Sequence, residues 1–175
     1  MILKRITNNL KFVLLCWCAP KRCHAETIKK IVEDDMILEC SSKGDKRFSA
    51  LYAKVKVFGV YDSIENHYQN CKRDINNQVV GKGKKVHKMV IEKTKETIEL
   101  PPSFLTAYYK LLWCAYLDAN PNLVEYASRF NDYHDTFKGK AVNCQADVIR
   151  QYIKVGRSSI LLEPDVKQLR RILKI

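Results

Sequence analysis

The sequence predicts an α+β fold, predominantly helical, with its helices packed around a small β-sheet. Three observations carry that expectation. Phe104, Leu105, Tyr108, Leu111, Leu112, Ala115 and Tyr116 recur at helical spacing, the strongest helix signal in the chain. Phe48–Val60 carries Tyr52, Val55, Val57 and Val60, the β-branched and aromatic content of one or two strands. The length, 175 residues, suits one domain with a sizeable core.

The apolar content of 46% and two tryptophans fit a globular chain, not a disordered one. No apolar run approaches the roughly 18–20 residues that span a bilayer. The net charge of +12 suits a partner bearing phosphates, whether nucleic acid, nucleotide or membrane surface, and does not choose among them. Seven cysteines, odd in number and irregularly spaced, read as buried thiols in a reducing compartment.

Lys4 and Arg5 precede the apolar run Phe12–Trp17, with Ala19-Pro20 after it. That echoes a signal peptide, but the run is short and basic residues follow, so a first strand or helix of the fold is expected instead. Cys16, Cys18, Cys23 and His24 offer four soft ligand types. Their spacing matches no common closed zinc knuckle and no second ligand pair is evident, so packed thiols and no metal are expected. Glu26–Val32 reads as a short helix, Met36–Leu38 as a brief strand and Ser41–Lys46 as a loop.

Asp62–Lys72 reads as one helix opening at Asp62 or Ser63 and ending near Asn76-Asn77. Ile64, His67, Cys71 and Ile75 form a mostly apolar stripe. Glu65, Gln69 and Lys72 share another face, with Tyr68 at its edge. By spacing alone this is an amphipathic helix with a solvated polar side. Gly81–Lys85 is a basic glycine loop of the sort that brings N–H groups and ammonium charge to a phosphate, without P-loop spacing. Lys93–Glu99 reads as a strand or linker, broken by Pro101-Pro102.

Ser103 is the expected N-cap of the Phe104–Leu117 helix. Asn120 and Pro121 mark the cap and first position of the next helix, which carries Leu123, Val124, Ala127 and Phe130. Asn131–Lys140 is polar, aromatic and loop-like. Asn143–Val155 is a third main helix ended by Gly156. Pro164–Ile175 is a basic amphipathic helix that touches nucleic acid or packs on the domain.

The order of several motifs resembles the NADAR family. Phe48-Ser49-Ala50-Leu51-Tyr52 is similar to its opening F-S-x-hydrophobic-Y segment. Ser63-Ile64-Glu65-Asn66-His67-Tyr68-Gln69-Asn70-Cys71-Lys72 matches S-hydrophobic-E-x-x-aromatic-Q-x-x-K at each defined position. A basic glycine stretch (Gly81–Lys85), an N-P-x-L helix (Asn120–Leu123), an Asp- and aromatic-containing loop ending in glycine (Asn131–Gly139) and a final helix opening at Asn143 follow in the same order. The resemblance spans about Arg47–Ile153 and is nearest to the branch associated with toxins that ADP-ribosylate DNA and to phage-encoded relatives. Residues 1–46 have no counterpart in it and read as an N-terminal extension to a domain at 47–175. The chain departs from the family pattern at Ala50, at Asn66 and at Phe137-Lys138, where members carry an Asn, a His and a tryptophan before the glycine.

The resemblance implies an N-glycosidase that removes ADP-ribose from modified guanine in nucleic acid or a nucleotide. It would reverse a toxin or defence modification in the cytoplasm, the host's where the protein is phage-encoded, with no cofactor. Such a reaction builds positive charge on the anomeric carbon, which a carboxylate stabilises or relieves by activating water. The resemblance assigns Glu65 to that role, with Asp132 and Asp135 placing water or ribose hydroxyls. Ser63, Gln69, Lys72, Gly83, Lys84, Gly139 and Asn143 would line the substrate site. Tyr52, Tyr68, Tyr133 and Phe137 are candidate base platforms. Two other readings compete: a non-catalytic ADP-ribose or nucleotide-binding module, and a small basic nucleic-acid-binding protein.

Overall fold

The α+β expectation holds. The structure, a computed structural model, describes residues 2–5, 12–15, 36–81, 83–135 and 144–175. Contacts divide the chain into Met1–Ile37 and Leu38–Ile175. In the first unit, β1 (Ile2–Arg5) pairs antiparallel with β2 (Phe12–Leu15), Ile2 opposite Leu15 and Arg5 opposite Phe12. The Cys16–His24 cluster and the Glu26–Val32 segment lie outside the described residues.

The second unit opens within β3 (Ile37–Glu39), where Leu38 is buried and Ile37 exposed. A 3-10 turn, Lys46–Phe48, buries Phe48. The expected strand region is a hairpin, β4 (Lys54–Val57) against β5 (Val60–Ser63). Its two-residue turn, Phe58-Gly59, has φ of 49° and 90°. Two positive values make the tight turn whose twist suits a hairpin. Gly59 takes that conformation without a Cβ penalty. Gly59→Ala is expected to lower stability by about 1 kcal/mol, read as a lower midpoint in urea.

Helix α1 (Ile64–Asn70) follows β5 directly. Ser63 is its N-cap: the side chain accepts from Asn66 N–H at 3.1 Å. The helix is shorter than its polar and apolar stripes suggest. Residues Lys72–Arg73 form β6, paired with β7 (Lys88–Glu92), which also pairs with β8 (Thr97–Leu100). Strand pairing therefore claims the chain before another helical turn forms, and Ile75, expected on the buried stripe, is 77% exposed. Residues Lys93–Glu96 turn the β7–β8 hairpin, closed by the Lys93 N–H donating to the Glu96 carbonyl at 2.8 Å.

Pro101 ends β8, and Pro102–Phe104 make a 3-10 turn leading into α2 (Leu105–Asp118). Ser103 is thus inside the turn and exposed; Phe104 occupies the cap position with no side-chain cap bond. The prolines displace the expected cap because their fixed φ starts the turn early. Helix α2 buries Ala107, Tyr108, Tyr109, Leu111, Leu112, Trp113, Cys114, Tyr116 and Leu117, almost its whole circumference. That is the composition of a helix surrounded by other elements.

The surroundings are α1, β4, α3 (Pro121–Ser128), α4 (Gln145–Arg150), α5 (Arg157–Leu161) and α6 (Pro164–Leu173). Pro121 stands at the first position of α3 as expected, but the Asn120 side chain turns back and donates to the Tyr116 carbonyl at 2.7 Å. Helix α4 widens into a π turn at Gln151–Val155 and stops at Gly156, φ 106°. Helix α6 packs on α2 through Val166, Leu169 and Leu173, leaving Lys167, Arg171 and Lys174 exposed.

Asn131–Lys140 is not loop throughout. Asp132–His134 form β9, which pairs with β3. Tyr133 is 1% exposed while its neighbours face out. The alternation of polar and aromatic residues there is that of a short strand with one face in the core. Among the described residues no helix is long and apolar enough to cross a membrane.

Candidate functional site

The first turn of α1 is fixed from three sides. The Ile64 N–H donates to the Ala53 carbonyl and the Glu65 N–H to the Ala50 carbonyl, both at 2.9 Å. Ala50 is itself held by Gln145 at the start of α4, whose Oε1 accepts from the Ala50 N–H at 2.8 Å. The same amide donates to the Cys40 carbonyl beyond β3. One side chain thus ties the residue that anchors Glu65 to two other elements. The Asp62 carboxylate accepts from Ser63 N–H at 2.7 Å and Asn66 Nδ2 at 2.9 Å.

These bonds, the Asn66 side chain before the Ser63 N–H, hold the Asp62 carboxyl below the usual carboxylate range. A carboxyl lowered on folding contributes stability above its unfolded pKa, and that contribution is lost as pH falls through the folded value. Asp62→Asn keeps the acceptor geometry and removes the titration. Its melting temperature is expected to fall less than that of the wild type between neutral and acid pH, as thermal melts by circular dichroism would record.

Glu65, Gln69 and Lys72 form a chain of hydrogen bonds. Lys72 Nζ donates to Gln69 Oε1 at 3.1 Å, and Gln69 Nε2 donates to Glu65 Oε1 at 2.8 Å. The i, i+4 pair is within the helix; Lys72 reaches it from β6. One Glu65 oxygen is thereby oriented, and among the described residues no donor meets the other. Lys72 Nζ also lies 3.7 Å from the centre of the Tyr68 ring, and Tyr68 packs edge-on against Tyr109 at 5.1 Å. Burial holds the Lys72 ammonium below its ordinary pKa, while the Cys71 and Glu65 charges act the other way.

Tyr109, outside the helical repeat that the sequence singled out, faces this group from α2. Burial pushes its phenol up, and negative charge at Glu65, Asp135 and Cys144 adds to the shift. Asp135, half-buried just past β9, also raises the buried Cys40 and the Cys144 thiols, after burial itself. Glu65, Tyr109, Asp135 and Cys144 therefore share one electrostatic neighbourhood. The sequence signal for Tyr109, Gln145 and Cys144 was faint: an aromatic inside an apolar helix, and an amide and a thiol at a helix start.

Asp132 is placed differently from Asp135. Its carboxylate is exposed and accepts from Arg150 Nε at 3.0 Å, and Arg150 also donates to Asp147 at 2.5 Å. Strand alternation explains the split, since residues one apart on β9 face opposite sides. Tyr133 is buried, its hydroxyl donating to the Ala127 carbonyl at 2.8 Å, so it offers no free ring face. Tyr68 is covered by Lys72 and Tyr109. Tyr52 is half exposed and lies elsewhere, against a recess beside β4 and β5.

Gly83 and Lys84 are exposed in a turn where the Lys84 N–H donates to the Gly81 carbonyl at 3.3 Å. The chain just before that turn is tied to the site, since the Val80 N–H donates to the Lys72 carbonyl at 3.2 Å. Phe137, Gly139 and Asn143 lie outside the described residues. Among the described residues no three His, Cys, Asp or Glu side chains cluster as a metal would need. Cys40, Cys71 and Cys114 are buried free thiols whose pKa burial pushes up to about 12, as inert packing thiols require.

The family model that matches is described as a domain of unknown function, DUF4326, and the match covers residues 3–34. It therefore falls in the first unit, on the stretch left without a counterpart by the motif order, and includes Cys16, Cys18, Cys23 and His24. None of the curated proteins compared matches the chain.

Proposed function

We propose that the protein is an N-glycosidase-like enzyme that removes ADP-ribose from modified guanine, in nucleic acid or a nucleotide. The observation that carries this reading is the Glu65 carboxylate: one oxygen is held by a Gln69–Lys72 chain, and among the described residues no donor meets the other. The ordered resemblance to the NADAR family supports it. DUF4326, matched at residues 3–34, is related in general to NADAR-like domains.

Hydrolysis breaks the bond between the ribosyl carbon and the base nitrogen. The water oxygen bonds to that carbon, one water proton passes to Glu65 and from Glu65 to the departing base nitrogen, and the carboxylate is thereby restored. As charge develops on the sugar, a carboxylate fixed in place stabilises it with no reorganisation. Lys72 is suited to a phosphate oxygen or to keeping Gln69 oriented. The cytoplasmic setting, and the role of reversing a toxin or defence modification, belong to this proposal.

The test is incubation with an oligonucleotide carrying ADP-ribosylated guanine, followed by mass spectrometry. Release of ADP-ribose with the unmodified oligonucleotide as co-product is expected; unchanged substrate with folded protein would defeat the reading. One observation favours a second reading, a binding module without turnover: the Asp132 carboxylate, expected to place water or ribose hydroxyls, is exposed and held by Arg150. Calorimetry showing tight binding of ADP-ribose, with no release, would decide for that module.

A further inference from the structure

We infer that the recess between the β4–β5 hairpin and the C-terminal end of α2 is a binding site for single-stranded nucleic acid. It is separate from the Glu65 network and stands on different residues, so it goes beyond the glycosidase reading.

The recess has a volume of about 510 Å³, inside the range of roughly 300–1,000 Å³ typical of ligand sites. Its hairpin wall carries Tyr52, Lys54, Val55, Lys56 and Tyr61. Lys56 stands directly opposite Tyr61 in the strand register, so both project from one face, and Lys54 follows two residues along on that face. Tyr52 precedes them, with Lys46 Nζ 5.2 Å from its ring centre. Tyr52 and Tyr61 are 50% and 67% exposed. The facing wall is low, because Ala115 and Ala119 lie one helical turn apart at the end of α2. Tyr116 is fixed by its hydroxyl, which donates to the Arg47 carbonyl at 2.9 Å.

The charge is one-sided. Lys54 and Lys56 line the recess, and among the described residues no carboxylate does. Acids close in sequence to the lining residues are engaged: Asp45 holds Arg47, Asp62 accepts from the Ser63 N–H and the Asn66 side chain, and Asp118 accepts from Tyr152 and Arg157. Exposed phenol rings beside ammonium groups match a phosphate backbone with unpaired bases, because a base in a duplex hides the face that a ring stacks on. An acidic peptide would satisfy the lysines and leave the two tyrosines without purpose.

The test is fluorescence anisotropy of the full chain with a fluorescein-labelled oligothymidylate across a salt series. Salt-sensitive binding is expected. Tyr61→Ala should weaken it about tenfold, while Tyr61→Phe, which keeps the ring, should retain it. Lys54→Ala with Lys56→Ala should reduce the slope of log affinity on log salt by about 1.4. Circular dichroism of each variant checks the fold. Tyr61→Ala should release ADP-ribose from a modified guanine nucleotide as the wild type does, so failure of ADP-ribose release and failure of strand binding are read separately. The inference is overturned if the oligothymidylate does not bind, if Tyr61→Ala binds unchanged, if Tyr61→Phe falls as far as Tyr61→Ala, or if polyglutamate displaces the strand as well as unlabelled oligothymidylate does.

Discussion

Glu65→Gln is expected to leave the fold intact and to slow ADP-ribose release by about 10²–10⁴-fold. The side chain stands at the first turn of α1 and is half-buried, and its backbone N–H to Ala50 is untouched by the change. The amide preserves volume and can still meet Gln69. What it loses is the negative charge, and with it the capacity to take a proton from water or to face a cationic sugar. The comparison that sharpens this is Gln69→Ala. That variant keeps the carboxylate and removes the link to Lys72, so a smaller loss is expected from misorientation alone. Single-turnover release followed by mass spectrometry separates the two. Equal rates for Glu65→Gln and wild type would remove Glu65 from the chemistry.

The largest expected effect on stability is at Trp113. It is fully buried in α2 and packs edge-on against Tyr116, ring centres 5.7 Å apart. Trp113→Ala removes the largest fully buried side chain among the described residues and opens a cavity in the helix that most of the second unit packs around. A loss of about 3–5 kcal/mol is expected, a large share of the roughly 5–15 kcal/mol that holds a domain folded. Trp113→Phe is expected to cost less. The indole N–H lies beside the Tyr109 phenol but outside hydrogen-bond geometry, so phenylalanine forfeits volume and no bond. Urea unfolding followed by far-ultraviolet circular dichroism would rank the two. Phenylalanine as damaging as alanine would show that the indole N–H has a partner after all.

The features legible in the chain were those set within a few residues. Ser63 caps α1 because a hydroxyl three residues from an N–H suffices. Glu65 and Gln69 meet because helical spacing brings i and i+4 together. The apolar spacing of α2 named the core helix, and Pro121 named the start of α3. In the candidate site, the Glu65–Gln69 pair was therefore readable from helical spacing alone, whereas Lys72 joins it from β6.

Pairing between distant residues was not readable. Lys72 and Arg73 leave the helical pattern because Met89 and Lys88, well downstream in the chain, offer them a strand partner. Asp132–His134 became a strand because β3 lies alongside, and that pairing turned Asp132 toward Arg150. Gln145 gives no local hint that its amide will bridge Ala50 and Cys40. Residue type, charge and local spacing settled the core of α2, the start of α3 and the Glu65–Gln69 face of α1. The partners of that face, the separation of Asp135 from Asp132, and the recess beside Tyr61 came from packing, because contacts between residues far apart in sequence depend on where every intervening element comes to rest.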